Sequence, residues 1–305
     1  MPAGAKAVPF PYWVIDAFTE SAFKGNPAAV CLVEEEKDEE WLQSVAKECN
    51  FPIISFLRPA AALENGISIH ANNTRFHLRW FAPVAEVKIC GHGALAAAHF
   101  LFTSGLSATN TIEFITKSGL LTAKGIDGFK QLESASLNDE KQERFTIELD
   151  LPVIPVIDCV SSEIPSIPRT LNGASVLNVK KTAANDLIVE LPSAKAVADL
   201  QPQFDEIQKC PGKGVMVTGL APHGSGFDFF TRFFCPKLGV NEDEVCASAH
   251  CSLAPYWSKK LGKHDLISYM ASPRGGILEL HLEEEMQRVL IRGRAVTVMT
   301  GSLLV

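Results

Sequence analysis

The sequence predicts an α+β protein of two pseudosymmetric, barrel-like lobes, each a mostly antiparallel sheet around one central helix. Three observations predict it. The chain repeats itself: Arg79-Trp80-Phe81-Ala82-Pro83 leads through Glu86 to Cys90-Gly91-His92-Gly93 and an alanine-rich helical run, and Arg232-Phe233-Phe234-Cys235-Pro236 leads through Glu242 to Cys246-Ala247-Ser248-Ala249 and another such run. The offset is about half the chain, as an internal duplication requires. A length of 305 residues leaves room for two domains of ordinary size, roughly 150 residues each. Many short strand-like runs surround few helical ones, which points to sheets wrapped around helices.

The elements follow in order. Tyr12 to Phe18 is strand-like, and Lys24-Gly25-Asn26-Pro27 is a turn before the apolar run Ala28 to Val33. Asp38 to Cys49 has helical periodicity, with Trp41, Leu42, Val45 and Ala46 on one face. Strands are expected at Ile53 to Leu57, Arg75 to Phe81, Thr111 to Thr116 and Leu120 to Lys124. Gly125 to Arg144, polar and charged, reads as a loop or mobile hairpin near the lobe boundary. A second series of strands follows at Phe145 to Leu149, Ser175 to Lys180, Asp186 to Glu190, Gly214 to Thr218 and Phe227 to Phe234. The second helix runs from about Ser248 to Leu261, with Tyr256 and Trp257 facing the core and Gly262 marking its end. Strands at Gly276 to Leu282, Arg288 to Arg292 and Ala295 to Met299 close the chain.

Composition narrows the function classes. With 47% hydrophobic and 21% charged residues the chain has the make-up of a soluble globular protein. No apolar run reaches the roughly 20 residues that a membrane helix needs, so no membrane partner is expected. Met1 to Pro9 lacks both secretory and transit-peptide patterns, and a cytoplasmic location is the expectation. A net charge of −7 without a dense Lys/Arg cluster argues against nucleic acid and for a small-molecule ligand.

Eight cysteines are scattered without paired CxxC spacing, and no His/Cys/Asp set has ligand spacing, so no metal site is expected. A reducing cytosol disfavours disulfides. Cys31, Cys49, Cys159 and Cys235 sit in apolar strings and read as packing residues. Cys90 and Cys246 differ, because each precedes a small residue at a helix start, where free N–H groups and the helix dipole favour a thiolate. Gly91 and Gly93 allow close backbone approach to an anion, or serve a tight turn. Arg79 and Arg232 read as strand anchors paired with carboxylates. Ser248 reads as an N-cap or a site residue, and Asp243 as part of a charge run raised above that baseline by the lobe symmetry.

Asp16-Ala17-Phe18-Thr19, Gly25-Asn26-Pro27-Ala28-Ala29-Val30, Arg79-Trp80-Phe81, Cys90-Gly91-His92, Glu242-Asp243, Ser248-Ala249-His250-Cys251 and Arg274-Gly275-Gly276 together resemble the phenazine-biosynthesis (PhzF-like) family over essentially the whole chain. The resemblance implies the diaminopimelate-epimerase-like fold, with residues 1–130 as the first lobe, 131–292 as the second, the last strand, about 293–305, completing the first, and the active site in the cleft between them. It also implies a homodimer and a cofactor-independent isomerase acting by proton transfer on a small carboxylate-bearing metabolite. The site residues it places are His92, Asp243 and Ser248, joined by Cys90 and Cys246 as catalytic candidates and by Asn26, Ile53, Gly91, Gly93 and Ala247 on the substrate side.

The largest departure is at Ile53. The characterised family member moves its proton with a glutamate in an Asn-Leu-Ser-Glu-Thr string, which aligns here with Asn50-Phe51-Pro52-Ile53-Ile54. Isoleucine exchanges no proton, so catalysis needs another group of suitable pKa. Two alternatives stay open. Related epimerases and racemases of this fold use one cysteine per lobe as thiolate base and thiol acid, and Cys90 and Cys246 resemble that pair, although Ala247 stands where those enzymes have glycine. The other is a non-catalytic metabolite-binding paralogue, with Ile53 recording the lost acid/base group.

Overall fold

The computed structural model describes residues 9–60, 74–107, 109–129, 145–159 and 167–304. Its first half contains β1 (Pro9–Ala17), β2 (Asn26–Leu32), α1 (Glu39–Cys49), β3 (Ile54–Pro59), β4 (Arg75–Phe81), β5 (Glu86–Val87), α2 (Gly91–Thr103), β6 (Thr111–Thr116), β7 (Gly119–Ile126) and β8 (Thr146–Pro152). The second contains β9 (Val156–Asp158), α3 (Ile167–Thr170), β10 (Asn178–Thr182), β11 (Leu187–Glu190), α4 (Ala194–Ala198), α5 (Phe204–Ile207), β12 (Val215–Leu220), β13 (Phe229–Cys235), β14 (Val240–Asp243), α6 (Ala247–Leu261), β15 (Asp265–Met270), β16 (Gly276–Glu283) and β17 (Arg288–Gly293). The last strand, β18 (Ala295–Leu304), returns to pair with β1, from Pro9↔Leu304 to Ala17↔Ala295.

The duplication is written into the strand pairing. Along β18-β1-β2-β3-β4-β6-β7-β8 the successive pairs run antiparallel, antiparallel, parallel, antiparallel, parallel, antiparallel, antiparallel. The path β9-β10-β11-β12-β13-β15-β16-β17 repeats that series step for step. Short β5 and β14 hang antiparallel on β4 and β13 at equivalent places. The strand from Phe145, expected to open the second lobe, is β8, which pairs with β7 on one side and β17 on the other and so joins the two halves.

Helix positions follow from what each helix buries. Residues of α2 from Gly91 to Phe102 are all buried, as befits a helix enclosed by strands. In α6, Tyr256 and Trp257 are buried as expected, and Gly262 ends the helix in the left-handed region. Pro255 lacks the N–H that the carbonyl of Cys251 would otherwise accept, and Ile154 N–H donates to that carbonyl instead, at 2.9 Å. On the outside of the sheet, α1 is capped by the Asp38 carboxylate on Trp41 N–H at 2.7 Å and covers Cys31, Ile54, Phe56 and Phe81.

Two expectations shift. The polar stretch was expected to start at Gly125, but β7 continues to Ile126, and residues 130–144 lie outside the described residues. Strand β15 has no counterpart in the expected series; it alternates buried Leu266, Ser268 and Met270 with exposed Asp265 and Ile267. Among the described residues no helix is long and apolar enough to cross a membrane.

Candidate functional site

The starts of α2 and α6 meet where the two halves face each other. Cys90 is the N-cap of α2, its Sγ accepting from Gly93 N–H at 3.4 Å. Cys246 is the N-cap of α6, with its Sγ 3.3 Å from Ser248 Oγ. A Cβ on Gly91 would lie 2.5 Å from Cβ of Ala247, so the helix starts abut and only glycine fits there. At Gly93 a Cβ would meet Trp80 at 2.8 Å and Ser55 Oγ at 2.9 Å, while Ser55 Oγ donates to Gly93 O at 3.0 Å. The close approaches at both glycines are thus to protein atoms of the other helix and of the sheet.

Beside this junction lies a cavity of about 90 Å³, lined from both halves. Cys90, His92, Asp243, Cys246 and Ser248 supply its polar wall, and Ile53, buried at 3% exposure, is part of its apolar one. Pro52 adjoins Ile53 in that wall, and sequence reasoning did not foresee its other apolar residues: Ala82, Val87, Ile89, Phe233, Cys235, Leu238 and Val240. The signal was available in the repeat, since Val87 and Asp243 hold the same register position, opposite Trp80 in β4 and Phe233 in β13. Asn26 does not line the cavity. It is fully buried, donating from Nδ2 to the Asp243 carboxylate and to Val245 O at 3.0 Å, and its own Oδ1 has no partner among the described residues.

The electrostatics reverse one expectation. Burial pushes the Cys90 thiol well up, the Asp243 charge adds to it, and the N–H groups of Gly93 and His92 oppose it without winning. Cys246 is likewise held well above the ordinary thiol range by burial and then by Asp243, against a hydrogen bond from Ser248. The helix starts therefore carry protonated thiols in the free protein, because desolvation of a thiolate in this apolar cavity outweighs the partial charge of the N–H groups. Burial lowers the pKa of His92, with Asp243 opposing, so its imidazole is neutral at physiological pH; Nδ1 lies 3.5 Å from Cys90 Sγ.

Supporting residues fall into equivalent places. Arg79 forks onto Glu86 at 2.8 and 2.7 Å, and Arg232 forks onto Glu242 at 2.7 and 2.8 Å, pinning β5 to β4 and β14 to β13 as the strand-anchor reading expects. His250 is fully buried in the first turn of α6. Because the Cys246 carbonyl can only accept, Nδ1 of His250 donates to it at 2.8 Å, and Nε2 accepts from Ser268 Oγ at 2.8 Å. Among the described residues no three His, Cys, Asp or Glu side chains gather in a metal-binding group.

Comparison with known proteins agrees with this architecture. The family model for phenazine biosynthesis-like protein matches residues 15–301. An uncharacterized isomerase of Halalkalibacterium halodurans is 38% identical over 295 residues, covering 96% of this chain and 98% of that one. The crystal structure of a phenazine biosynthesis protein of the PhzF family from Enterococcus faecalis superposes with a TM-score of 0.79 at 33% identity, covering 98% of this chain and 100% of the other. A hydroxyproline epimerase from Agrobacterium vitis, at 10% identity and a TM-score of 0.59 over 97% of this chain and 92% of its own, shares the fold.

Proposed function

This chain belongs to the phenazine biosynthesis-like protein family, and from that premise we propose that it is an isomerase that moves a proton on a small monocarboxylate with an apolar body. The observation that carries the reading is the cavity itself: Cys90, His92, Asp243, Cys246 and Ser248 face one small space that is otherwise apolar. Among the described residues no Lys or Arg lines it, so the charge it suits is the single carboxylate that two helix N-termini can hold. At about 90 Å³ it is smaller than the roughly 150 Å³ that accommodates benzene. A body of a few carbons fits.

The mechanism follows from protonation states. Ile53 contributes no proton, so the Asp243 carboxylate takes one from a carbon made acidic by the substrate carboxylate. Backbone N–H groups at the helix starts stabilise the enolate-like charge. The Cys90 thiol, protonated in the free protein, returns a proton to the substrate. The proton taken up by Asp243 then passes through the neutral His92 imidazole, which gains it at one ring nitrogen as it gives its own to the Cys90 thiolate from the other, so that both groups are reset. Return to the same carbon from the opposite face inverts it; return to the far end of an allylic anion, two carbons away, moves a double bond. A two-thiol racemase is the second reading, favoured because both helix-start cysteines line the cavity, and disfavoured because neither rests as the thiolate base it needs.

The test is incubation in D₂O with a panel of aliphatic 2-amino, 2-hydroxy and unsaturated carboxylates, read by proton NMR and mass spectrometry. Deuterium should enter one carbon-bound position, and Asp243→Asn should slow this by about a hundredfold or more. Tight binding with no deuterium uptake at any carbon sinks the isomerase and leaves the metabolite-binding paralogue. Loss of exchange in Cys90→Ser and Cys246→Ser, with Asp243→Asn little changed, installs the two-thiol reading.

A further inference from the structure

Three of the family-like motifs, around Asp16, around Gly25-Asn26-Pro27 and around Arg274-Gly275-Gly276, contribute no side chain to the cavity lining. They converge at the seam between the halves. Arg274, in the turn between β15 and β16, reaches into the first half: Nη2 donates to Asp16 Oδ1 at 2.7 Å and to Lys24 O at 3.0 Å, and Nε donates to Gly25 O at 2.8 Å. Asp16 is 2% exposed, and its other oxygen accepts from Phe23 N–H at 2.7 Å. Gly25 N–H in turn donates to Gly275 O at 2.9 Å, and the turn depends on Gly25, whose φ is +63 and whose Cβ would lie 2.1 Å from Ala17 O.

The next residue is Asn26, whose amide crosses the seam in the other direction to Asp243 and Val245 O. We propose that the Asp16–Arg274 pair is a positioning device for Asp243: it fixes the turn that carries Asn26, and Asn26 fixes the Asp243 carboxylate against the cavity. A buried Asp16 needs its cation, which pins the guanidinium, and the pinned fork holds the two carbonyls that immediately precede Asn26. Arg274 is itself held from behind, since its backbone N–H donates to Glu244 Oε2 at 3.1 Å and Ser272 Oγ donates to Glu244 O at 2.7 Å. The loop therefore links the cap region of α6 to the turn that serves Asp243. Both are positioning residues, acting through Asn26. The catalytic meaning rests on the proposed role of Asp243; the geometry does not.

The experiment needs no substrate. In protein labelled with ¹³C at the aspartate carboxyl, the Asp243 resonance is assigned by its loss in Asp243→Asn and titrated in each variant. The groups that face it are Asn26 from β2, Cys90 and His92 from α2, Cys235 from β13, Glu242 from β14 and Cys246 from α6. Asn26→Leu removes a hydrogen bond to the charged carboxylate and should move its midpoint up by about one pH unit. Arg274→Gln, which loses hydrogen bonds to Asp16, Lys24 and Gly25 and none to Asp243, should move it in the same direction by a similar amount, and the double variant should move it no further. Additive shifts, or an Arg274→Gln midpoint within about 0.2 unit of wild type, overturn the proposal. Should the glutamine variant not fold, Arg274→Lys keeps the charge beside Asp16 and loses the fork onto Gly25 and Lys24; an unmoved midpoint there also overturns it. Failure of every carboxylate to exchange deuterium would remove the proposed isomerase yet leave this shift in place.

Discussion

A methyl group placed on Gly91 tests whether the abutting helix starts set the distance between the halves. In Gly91→Ala the new Cβ lies 2.5 Å from Cβ of Ala247, where carbon atoms in contact rest about 3.5–4.0 Å apart. Both atoms sit on buried first turns and neither is the end of a flexible side chain, so the helices must separate by about 1 Å or strain, and overpacking of this kind costs about 1–3 kcal/mol. The next atoms the methyl meets, Ala247 Cα and Leu151 Cδ1, are both at 3.4 Å, an ordinary contact. Removing the Ala247 methyl therefore clears the clash. Alone, Ala247→Gly loses one buried methyl and a little helix propensity, about 1–1.5 kcal/mol.

If the two sites were independent, the double variant would be about 2–4 kcal/mol less stable than wild type. The geometry requires that Gly91→Ala/Ala247→Gly, which only carries the methyl across the interface, lie within about 1 kcal/mol of wild type, a coupling of about 1–3 kcal/mol. Urea unfolding of the four proteins, compared at matched slope, measures it. A double variant as unstable as the sum of the singles refutes the reasoning and places the contact between the halves elsewhere.

Stability should fall as the solution is acidified from about pH 6.5 to 4, because burial holds His99 and His250 down at about 4 from an ordinary 6.5. With the folded value depressed, the unfolded chain binds the extra protons in that window, so each histidine withdraws up to about 3 kcal/mol at its lower end. His99 is stacked on Phe145, and its Nε2 has no partner among the described residues, so His99→Phe should remove its share of the slope in urea melts, and an unchanged slope contradicts it. At pH 8 iodoacetamide should modify half-buried Cys159 well before Cys90 or Cys246; selective modification of the latter two below the free-thiol value of about 8.5 would revive the two-thiol racemase. Arg232→Gln should cost about 3–5 kcal/mol, since it strands Glu242 in a pair whose side chains are 9% and 10% exposed. The equivalent Arg79→Gln should cost less, because Lys117 still pairs with Glu86, and equal losses would count against this account.

Much of this fold was legible because the repeat carries its own pairing rules. Arg79 and Glu86 recur as Arg232 and Glu242, and the same fork pins the same hairpin twice. Strand β15 was missed because its six residues begin only three positions after Gly262 and their parallel partner, β13, is not adjacent in sequence. The thiols show the same limit in the site. Their place at helix starts is local and readable, whereas the desolvation that keeps them protonated comes from a cavity wall contributed by both halves, including Ile89, Phe233 and Leu238. The role of the Arg274 motif was hidden for the same reason, since its partners lie at the opposite end of the chain.

What the repeat does not duplicate is the more telling part of the site. At equivalent helix starts Cys90 faces Cys246 in role, but His92 stands where Ser248 does and Gly91 where Ala247 does. At the equivalent register position on β5 and β14, opposite Trp80 and Phe233, the first half has Val87 and the second has Asp243. A symmetric scaffold thus encloses an asymmetric cavity, with a carboxylate contributed by one half and a neutral imidazole by the other. A proton moved on one small molecule needs a base to take it and an acid to return it. Substitutions at three or four equivalent positions are enough to supply them, and Ile53, which turns one wall apolar, leaves Asp243 as the carboxylate that lines the cavity among the described residues.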